Sequence, residues 1–396
     1  MRPYQITIKP GKERSIRQRH PWIFSGAIHS ATGQMPPGSC VNVQDTKGQF
    51  LARAYYNPKS SLAARIFSYS PEDNLDQALL KARIEAAWKR RQHLRKPDNT
   101  MQRIVASEAD LLPGLIVDRY GDWVVFQILT LGMECVRDAI IRAIEEVLQP
   151  QGLIERSDEA VRVKEGLEPR KELIRGTLPE QGLEELEYGL KLRFDPWSGH
   201  KTGFYLDQRN NRKLLESYAK DREVLNCFSY TGGFSCAAGR GGASHVLSVD
   251  ESRPALDHAE ANWRANGLDP SRHETLRADV FAHLRQLRDE GRSFDLIVLD
   301  PPKFVSDKAQ LDRACRGYKD LNLLAFQILR KGGYLATFSC SGLISRDLFQ
   351  KVVFGAADDA GADVQILHHL SQAEDHPVLL SFPESLYLKG LFCQKL

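Results

Sequence analysis

The stretch Phe294-Asp295-Leu296-Ile297-Val298-Leu299-Asp300-Pro301-Pro302-Lys303-Phe304 decides how the chain is read. A short apolar run bounded by turn residues reads as a strand buried in a parallel sheet. The two prolines fix a rigid turn after it and hold the Asp300 carboxylate at the mouth of the sheet. From about Ser198 onward, apolar strands alternate with helical patterns, the texture of βαβ units. Strands are expected at Glu223–Phe228, His245–Val249, Glu274–Arg277, Phe294–Leu299, Tyr334–Phe338, Val364–His368 and Leu386–Cys393. Helices are expected near Phe234–Ala238, Ser252–Asn266, Val280–Asp289, Leu311–Arg330 and Arg346–Ala357. No long helix separates the last two strands, so an antiparallel hairpin closes the sheet.

In a doubly wound sheet the ligand lies beyond the carboxyl ends of the strands. Five such ends carry chemistry here. The first is Phe228-Ser229-Tyr230-Thr231-Gly232-Gly233, where paired glycines let the backbone approach a ligand. It is neither a G-x-G-x-x-G fingerprint nor a phosphate-binding G-x-x-x-x-G-K-[ST] loop. The second is Asp250-Glu251, an acid placed to accept ribose hydroxyls. The third is Asp279-Val280, where the carboxylate either binds a ligand or caps the next helix. The fourth is Asp300-Pro301-Pro302-Lys303. The fifth is Cys340, across the mouth from Asp300, which is either a small buried apolar group or a nucleophile. Upstream, Lys201–Arg209 precedes a helix. Gln208 and Arg209 can reach a ligand from there, and Asp207 reads equally as a helix cap.

The rest of the chain is of a different kind. Residues 1–70 hold ten basic residues against two acidic ones, a net +8 in a chain whose total is only +3. Such a module suits a polyanion, although a solvated charged face has the same composition. Strands at Gln5–Ile8, Cys40–Val43, Phe50–Tyr56 and Ala63–Ser68, broken by Pro and Gly, predict a small β-barrel. Within it Lys12, Arg14, Arg17 and Arg19 interleave with Trp22 and Phe24. Basic groups bind phosphate and aromatic faces stack on bases. Trp22 and Phe24 read as core residues in the first instance. A basic-ended helix over Asn74–Lys96, capped by Asp73, connects to an α+β region. There Gly114–Asp118 and Trp123–Leu129 form a hairpin, Glu134–Leu148 a helix, and Gly152–Glu155 and Leu186–Phe194 further strands. That region carries no visible chemistry.

The chain of 396 residues, 42% hydrophobic and 27% charged, supports two to three domains and excludes a disordered or collagen-like polymer. No apolar run approaches a membrane span, and Met1–Gln5 lacks a secretory pattern. The seven cysteines are scattered without C-x-x-C spacing, so no metal site is expected and a reduced, cytoplasmic setting fits. No coiled-coil heptads are present. The oligomeric state stays open, a homodimer included.

The loop at 228–233 resembles the cofactor loop of S-adenosylmethionine-dependent RNA methyltransferases, and Asp300-Pro301-Pro302 resembles the (D/N)-P-P signature of nucleobase methyltransferases. With the basic barrel and the middle domain in front, essentially the whole chain resembles the RlmI-type 23S rRNA (cytosine-5-)-methyltransferases. The resemblance implies an N-terminal PUA domain over 1–72, a connector and middle domain over 73–195, and a seven-stranded class I methyltransferase sheet over 196–396. It implies S-adenosylmethionine as cofactor, held by Gln208, Phe228, Tyr230, Thr231, Gly232, Gly233, Asp250, Glu251, Asp279, Val280 and Asp300. It implies Cys340 as the thiolate that adds to cytosine C6, with Asp300 on the N3/N4 edge. Pro301, Pro302, Lys303, Lys12, Arg14, Arg17, Arg19 and Trp22 would touch 23S rRNA, naked or in a large-subunit precursor. One departure stands out. Lys303 occupies the place where many RNA cytosine-5 methyltransferases carry a second cysteine, thought to assist release. Two alternatives remain: a methyltransferase acting on purine amino groups, which needs no cysteine, and a non-catalytic rRNA-binding assembly factor.

Overall fold

A computed structural model describes residues 4–304 and 307–396 of the chain; Arg2, one of the basic residues counted above, lies outside them. The chain divides into two compact units. One comprises residues 1–183, 195–205 and 375–385. The other comprises residues 184–194, 206–374 and 386–396. The boundary expected at 195/196 is therefore cut differently: the 184–194 segment belongs with the C-terminal sheet, and 375–385 belongs with the N-terminal unit.

The first unit opens with a six-stranded sheet in the order Trp22–Ile23, Ala64–Ser68, Phe50–Tyr56, Cys40–Gln44, Tyr4–Ile8, Ile28–Ala31. Tyr4–Ile8 and Cys40–Gln44 are parallel and the other pairings antiparallel. Alternation puts Ile6, Ile8, Val41, Val43, Ala52, Ala54 and Ile66 in one core, with Ile16 from the short helix Glu13–Arg17 above it. That helix and the two strands Trp22–Ile23 and Ile28–Ala31 were not legible in the basic run. A five-stranded sheet follows, ordered Arg170–Arg175, Gly152–Ser157, Trp123–Ile128, Leu115–Tyr120, Met101–Ala106. Helices Gln77–Arg91 and Arg137–Leu148 share its core through Leu80, Ile84, Ile140 and Ile144. The first of these helices is capped by Asp76, which accepts from the Leu79 amide, and not by Asp73. Asp73 instead accepts from the Ser68 hydroxyl.

The second unit holds seven strands in the order His273–Arg277, His245–Asp250, Glu223–Cys227, Phe294–Leu299, Leu329–Ser339, Lys389–Lys395, Val364–Ser371. All pairings are parallel except those of Lys389–Lys395, which runs antiparallel to both neighbours. The strand order reverses between Glu223–Cys227 and Phe294–Leu299, which opens a crevice beyond their carboxyl ends. Two expectations are corrected. The helix read as Leu311–Arg330 stops at Ile328, and Leu329 turns extended to begin the strand. Arg330 then pairs with Asp295 and Glu223 from within that strand. The single strand read over Leu186–Phe194 is a hairpin of Leu183–Glu187 and Leu190–Phe194. Its turn, Tyr188-Gly189, has φ of 47° and 80°, and a Tyr in place of the usual Asn conceals it from sequence reading. No helix among the described residues is long and apolar enough to cross a membrane.

Candidate active site

The loop after Cys227 is built on left-handed residues. Phe228, Tyr230 and Gly232 have φ of 58°, 47° and 76°. Two of the three are aromatic, and such conformations persist only where surroundings over-determine them. Those surroundings are visible. Asp250 accepts the Tyr230 amide at 2.8 Å and the Ser252 amide at 2.9 Å, and the Val249 carbonyl accepts the Ser229 amide. Asn262 donates to the Thr231 carbonyl at 2.9 Å and clasps the Arg193 backbone on its other side. A Cβ on Gly232 would lie 2.7 Å from that of Ala259. The loop therefore sits directly on the helix Arg253–Ala265.

Polar groups around this loop are left with capacity for a ligand. Ser229 Oγ, Thr231 Oγ1 and Gln208 Nε2 are buried with no hydrogen-bond partner among the described residues. Leaving such groups unmade costs on the order of 1–3 kcal/mol each. An adenosyl-methionine ligand, rich in hydroxyl, amine and carboxylate groups, fits that demand. Gln208 keeps its Oε1 on Asn211 at 2.6 Å and is itself 2% exposed. Asp207 is not a helix cap: it accepts from the Tyr387 hydroxyl at 2.7 Å. Arg209 is buried near Glu187, which Arg212 holds through two bonds of 2.6 Å. Of the upstream segment, residues 201–205 fall in the first unit, where Thr202 donates to Asp118 at 2.6 Å. Asp279 caps the helix Val280–Asp289 through the Ala282 amide at 2.7 Å. Capping uses one carboxylate oxygen of Asp279, and its exposure leaves the other facing solvent. Glu251, which follows Asp250 at the end of the neighbouring strand, is exposed as well.

Register brings the remaining groups to one end. Leu299 is opposite Thr337, so Asp300 and Cys340 leave adjacent parallel strands in the same direction. Pro301 is buried, whereas Pro302 and Lys303 are exposed. Phe304 packs on Tyr318 with ring centroids 4.6 Å apart. Burial pushes the Tyr318 hydroxyl upward; it bonds Ser341 Oγ at 3.2 Å and lies within electrostatic reach of both Cys340 and Asp300. None of the seven cysteines is in a disulfide. Burial pushes six of the thiols up, Cys236 and Cys393 to about 12, which keeps those six protonated at neutral pH. Cys340, the seventh, is half-buried at the strand end.

Sequence reading missed two groups here, Tyr318 and Lys389. Lys389 is 3% exposed and opens the antiparallel strand beside Ser339. The signal was present: a lysine interrupts a run that otherwise reads as a buried strand, and such a group needs a reason.

In the first unit, Lys12 and Arg14 are exposed. Arg17 is held by Asp45 at 3.0 Å, and Arg19 lies 5.0 Å from the Tyr69 ring centre. Trp22 donates its indole N–H to Glu108 at 2.8 Å and packs against Phe382 at 4.6 Å, so Phe24, 52% exposed, is the aromatic group that faces solvent.

Comparison with known proteins adds independent findings. A PUA-like domain model matches residues 6–69, and an S-adenosylmethionine-dependent methyltransferase model matches residues 171–379. The chain is 47% identical to the ribosomal RNA large subunit methyltransferase I of Cronobacter sakazakii, over 98% of each chain. It resembles in fold a putative SAM-dependent methyltransferase from Streptococcus mutans, with a TM-score of 0.86 at 23% identity, covering 98% of this chain and 99% of that one. It likewise resembles a putative methyltransferase solved with SAH, with a TM-score of 0.87 at 22% identity and the same coverage.

Proposed function

Because the chain belongs to the ribosomal RNA large subunit methyltransferase I family of S-adenosylmethionine-dependent enzymes, we propose that it methylates C5 of one cytidine in 23S rRNA with Cys340 as nucleophile. The observation that carries this reading is the placement of Asp300 and Cys340 just beyond the ends of adjacent parallel strands, where Leu299 is opposite Thr337.

C5 of cytosine is a poor nucleophile. Bound S-adenosylmethionine supplies an electrophilic methyl group. The protein's task is to make C5 electron-rich beside it. The Cys340 thiolate forms a bond to C6, and the electrons of the C5–C6 double bond shift toward C5. Asp300, entering as the carboxylic acid, gives its proton to N3 as the ring gains that charge, accepts from the N4 amino group as the resulting carboxylate, and takes the N3 proton back when the sulfur leaves. Once C5 carries the methyl group, a base removes the C5 proton. The double bond reforms and the sulfur leaves C6 with its bonding electrons. Gln208, the 228–233 loop, Asp250 and Asp279 hold the cofactor in this reading. The target base must be unstacked to reach the strand ends. Residues 1–72 hold the RNA through Lys12, Arg14 and neighbouring basic groups, with Phe24 as a stacking face. Seven cysteines with no disulfide among them suit a reducing cytoplasm.

The test is transfer of labelled methyl from S-adenosylmethionine to 23S rRNA or to large-subunit precursors, followed by nucleoside analysis. Label in 5-methylcytidine, lost in Cys340→Ala, is expected. Label in a methylated purine that persists in Cys340→Ala would overturn the reading.

A further inference from the structure

The turn that follows Cys340 is held by a charge from the neighbouring antiparallel strand. Lys389 begins the strand Lys389–Lys395, and its pairing with Ser339 carries it to the end where the parallel strands finish. Its Nζ donates to the carbonyl of Ser341 at 2.6 Å and to that of Ile344 at 2.8 Å. Both carbonyls lie in the turn between Cys340 and the helix Arg346–Asp359. Taking an ammonium out of water is costly, and two carbonyl dipoles offset only part of that. A turn needing only two donors would be served by a neutral amide. The ammonium adds a positive charge within electrostatic reach of Cys340.

The electrostatic surroundings agree with the geometry. Cys340 is the neighbour that favours the charged form of Lys389, while Arg346 and Lys303 oppose it. Burial pulls the amine down to about 8, still on the charged side of neutrality. Tyr318 lies within electrostatic reach of both Cys340 and Asp300.

We propose that Lys389 is the positioning residue of the nucleophile: it fixes the turn after Cys340 and stabilises negative charge on the Cys340 sulfur. The inference rests on Cys340 being the nucleophile. On ionisation the thiol proton leaves to solvent and Lys389 keeps its own. A thiolate–ammonium pair results, and no other group changes charge. Formation of the bond to C6 removes the charge from sulfur, and its breaking restores it, so the same ammonium favours release.

Alkylation by iodoacetamide of the full chain, without cofactor or RNA, measures this directly. Peptide mass spectrometry separates Cys340 from the exposed Cys135, which serves as internal reference, and from the buried Cys227, which reports unfolding. The rate at Cys340 is followed against pH in wild type, Lys389→Arg and Lys389→Gln. Gln retains a donor for the carbonyls and removes the charge. We expect Lys389→Gln to slow Cys340 about tenfold at pH 7, with its midpoint moved up by about one unit, and Lys389→Arg to stay near wild type. One common midpoint in all three proteins overturns the inference. Should Gln expose Cys227, the comparison of wild type with Arg and Met variants under the same readout decides it. Methylation is assayed in parallel. Activity surviving in Cys340→Ala refutes the nucleophile itself, whereas an unmoved midpoint with a dead Cys340→Ala refutes only the role of Lys389.

Discussion

Gly232 has a backbone that disfavours a side chain and a neighbour that leaves no room for one. Its φ of 76° belongs to the left-handed region, and a Cβ there would be 2.7 Å from that of Ala259. Gly232→Ala should therefore lower unfolding stability by about 2 kcal/mol and weaken S-adenosylmethionine binding together, measured by chemical denaturation and calorimetry. An alanine variant with unchanged cofactor affinity would detach this loop from the cofactor. The glycine pair and Asp300-Pro301-Pro302 were legible because each is a local demand on the backbone. Lys389 and Tyr318 were not, because their importance comes from tertiary pairing: Ser339 with Lys389, and Tyr318 with Ser341. Asp73 and Asp207 illustrate the converse. A carboxylate just before a helix looks like a cap, yet each is drawn to a hydroxyl, of Ser68 and of Tyr387 respectively.

Between elements, one polar chain ties the strands Glu223–Cys227, His245–Asp250 and His273–Arg277 together. Asn226 donates to Ser235 Oγ at 2.8 Å, Ser235 meets Ser248 Oγ at 2.7 Å, and Ser248 meets His273 Nε2 at 2.8 Å. The Asn226 side-chain NH₂ only donates, so the chain runs consistently when His273 accepts at Nε2 as a neutral ring. Burial agrees, pulling His273 down to about 4 with its ring stacked on Trp263 at 4.5 Å. The unfolded chain binds this proton near pH 6.5, so between 6.5 and 4 it holds more protons than the folded one. The stability that His273 supports is complete above 6.5 and is lost as pH falls toward 4. Denaturation at a series of pH values should show His273→Gln losing roughly 2–3 kcal/mol less than wild type across that window. Parallel pH curves would contradict the buried neutral ring. Strand positions in this sheet were legible from apolar runs alone. The Leu329 strand start and the Tyr188-Gly189 hairpin were not, because an early register pairing and an unusual turn residue override local pattern.

For the molecule as a whole, the proposed function gives RNA holding to the basic residues 1–70, net +8, and chemistry to the C-terminal sheet. Lys12→Glu with Arg14→Glu should weaken 23S rRNA binding and flatten its dependence on salt, lowering the slope of log affinity against log salt concentration by about one for each phosphate no longer held. S-adenosylmethionine binding should be untouched. Filter binding across a salt series measures the first and calorimetry the second; an unchanged slope would remove the basic module from the RNA interface. Arg17 and Arg19, already engaged by Asp45 and Tyr69, should matter less. The covalent Cys340–cytosine bond of the proposed mechanism is probed with 23S rRNA transcribed with 5-fluorocytidine. Fluorine at C5 cannot leave as a proton does, so after methyl transfer the sulfur stays bonded to C6. A protein–RNA complex is expected that survives denaturing electrophoresis, needs S-adenosylmethionine, and maps to Cys340 by mass spectrometry. Methylation of unmodified 23S rRNA, with no such complex on the fluorinated RNA or with one that persists in Cys340→Ala, would contradict it.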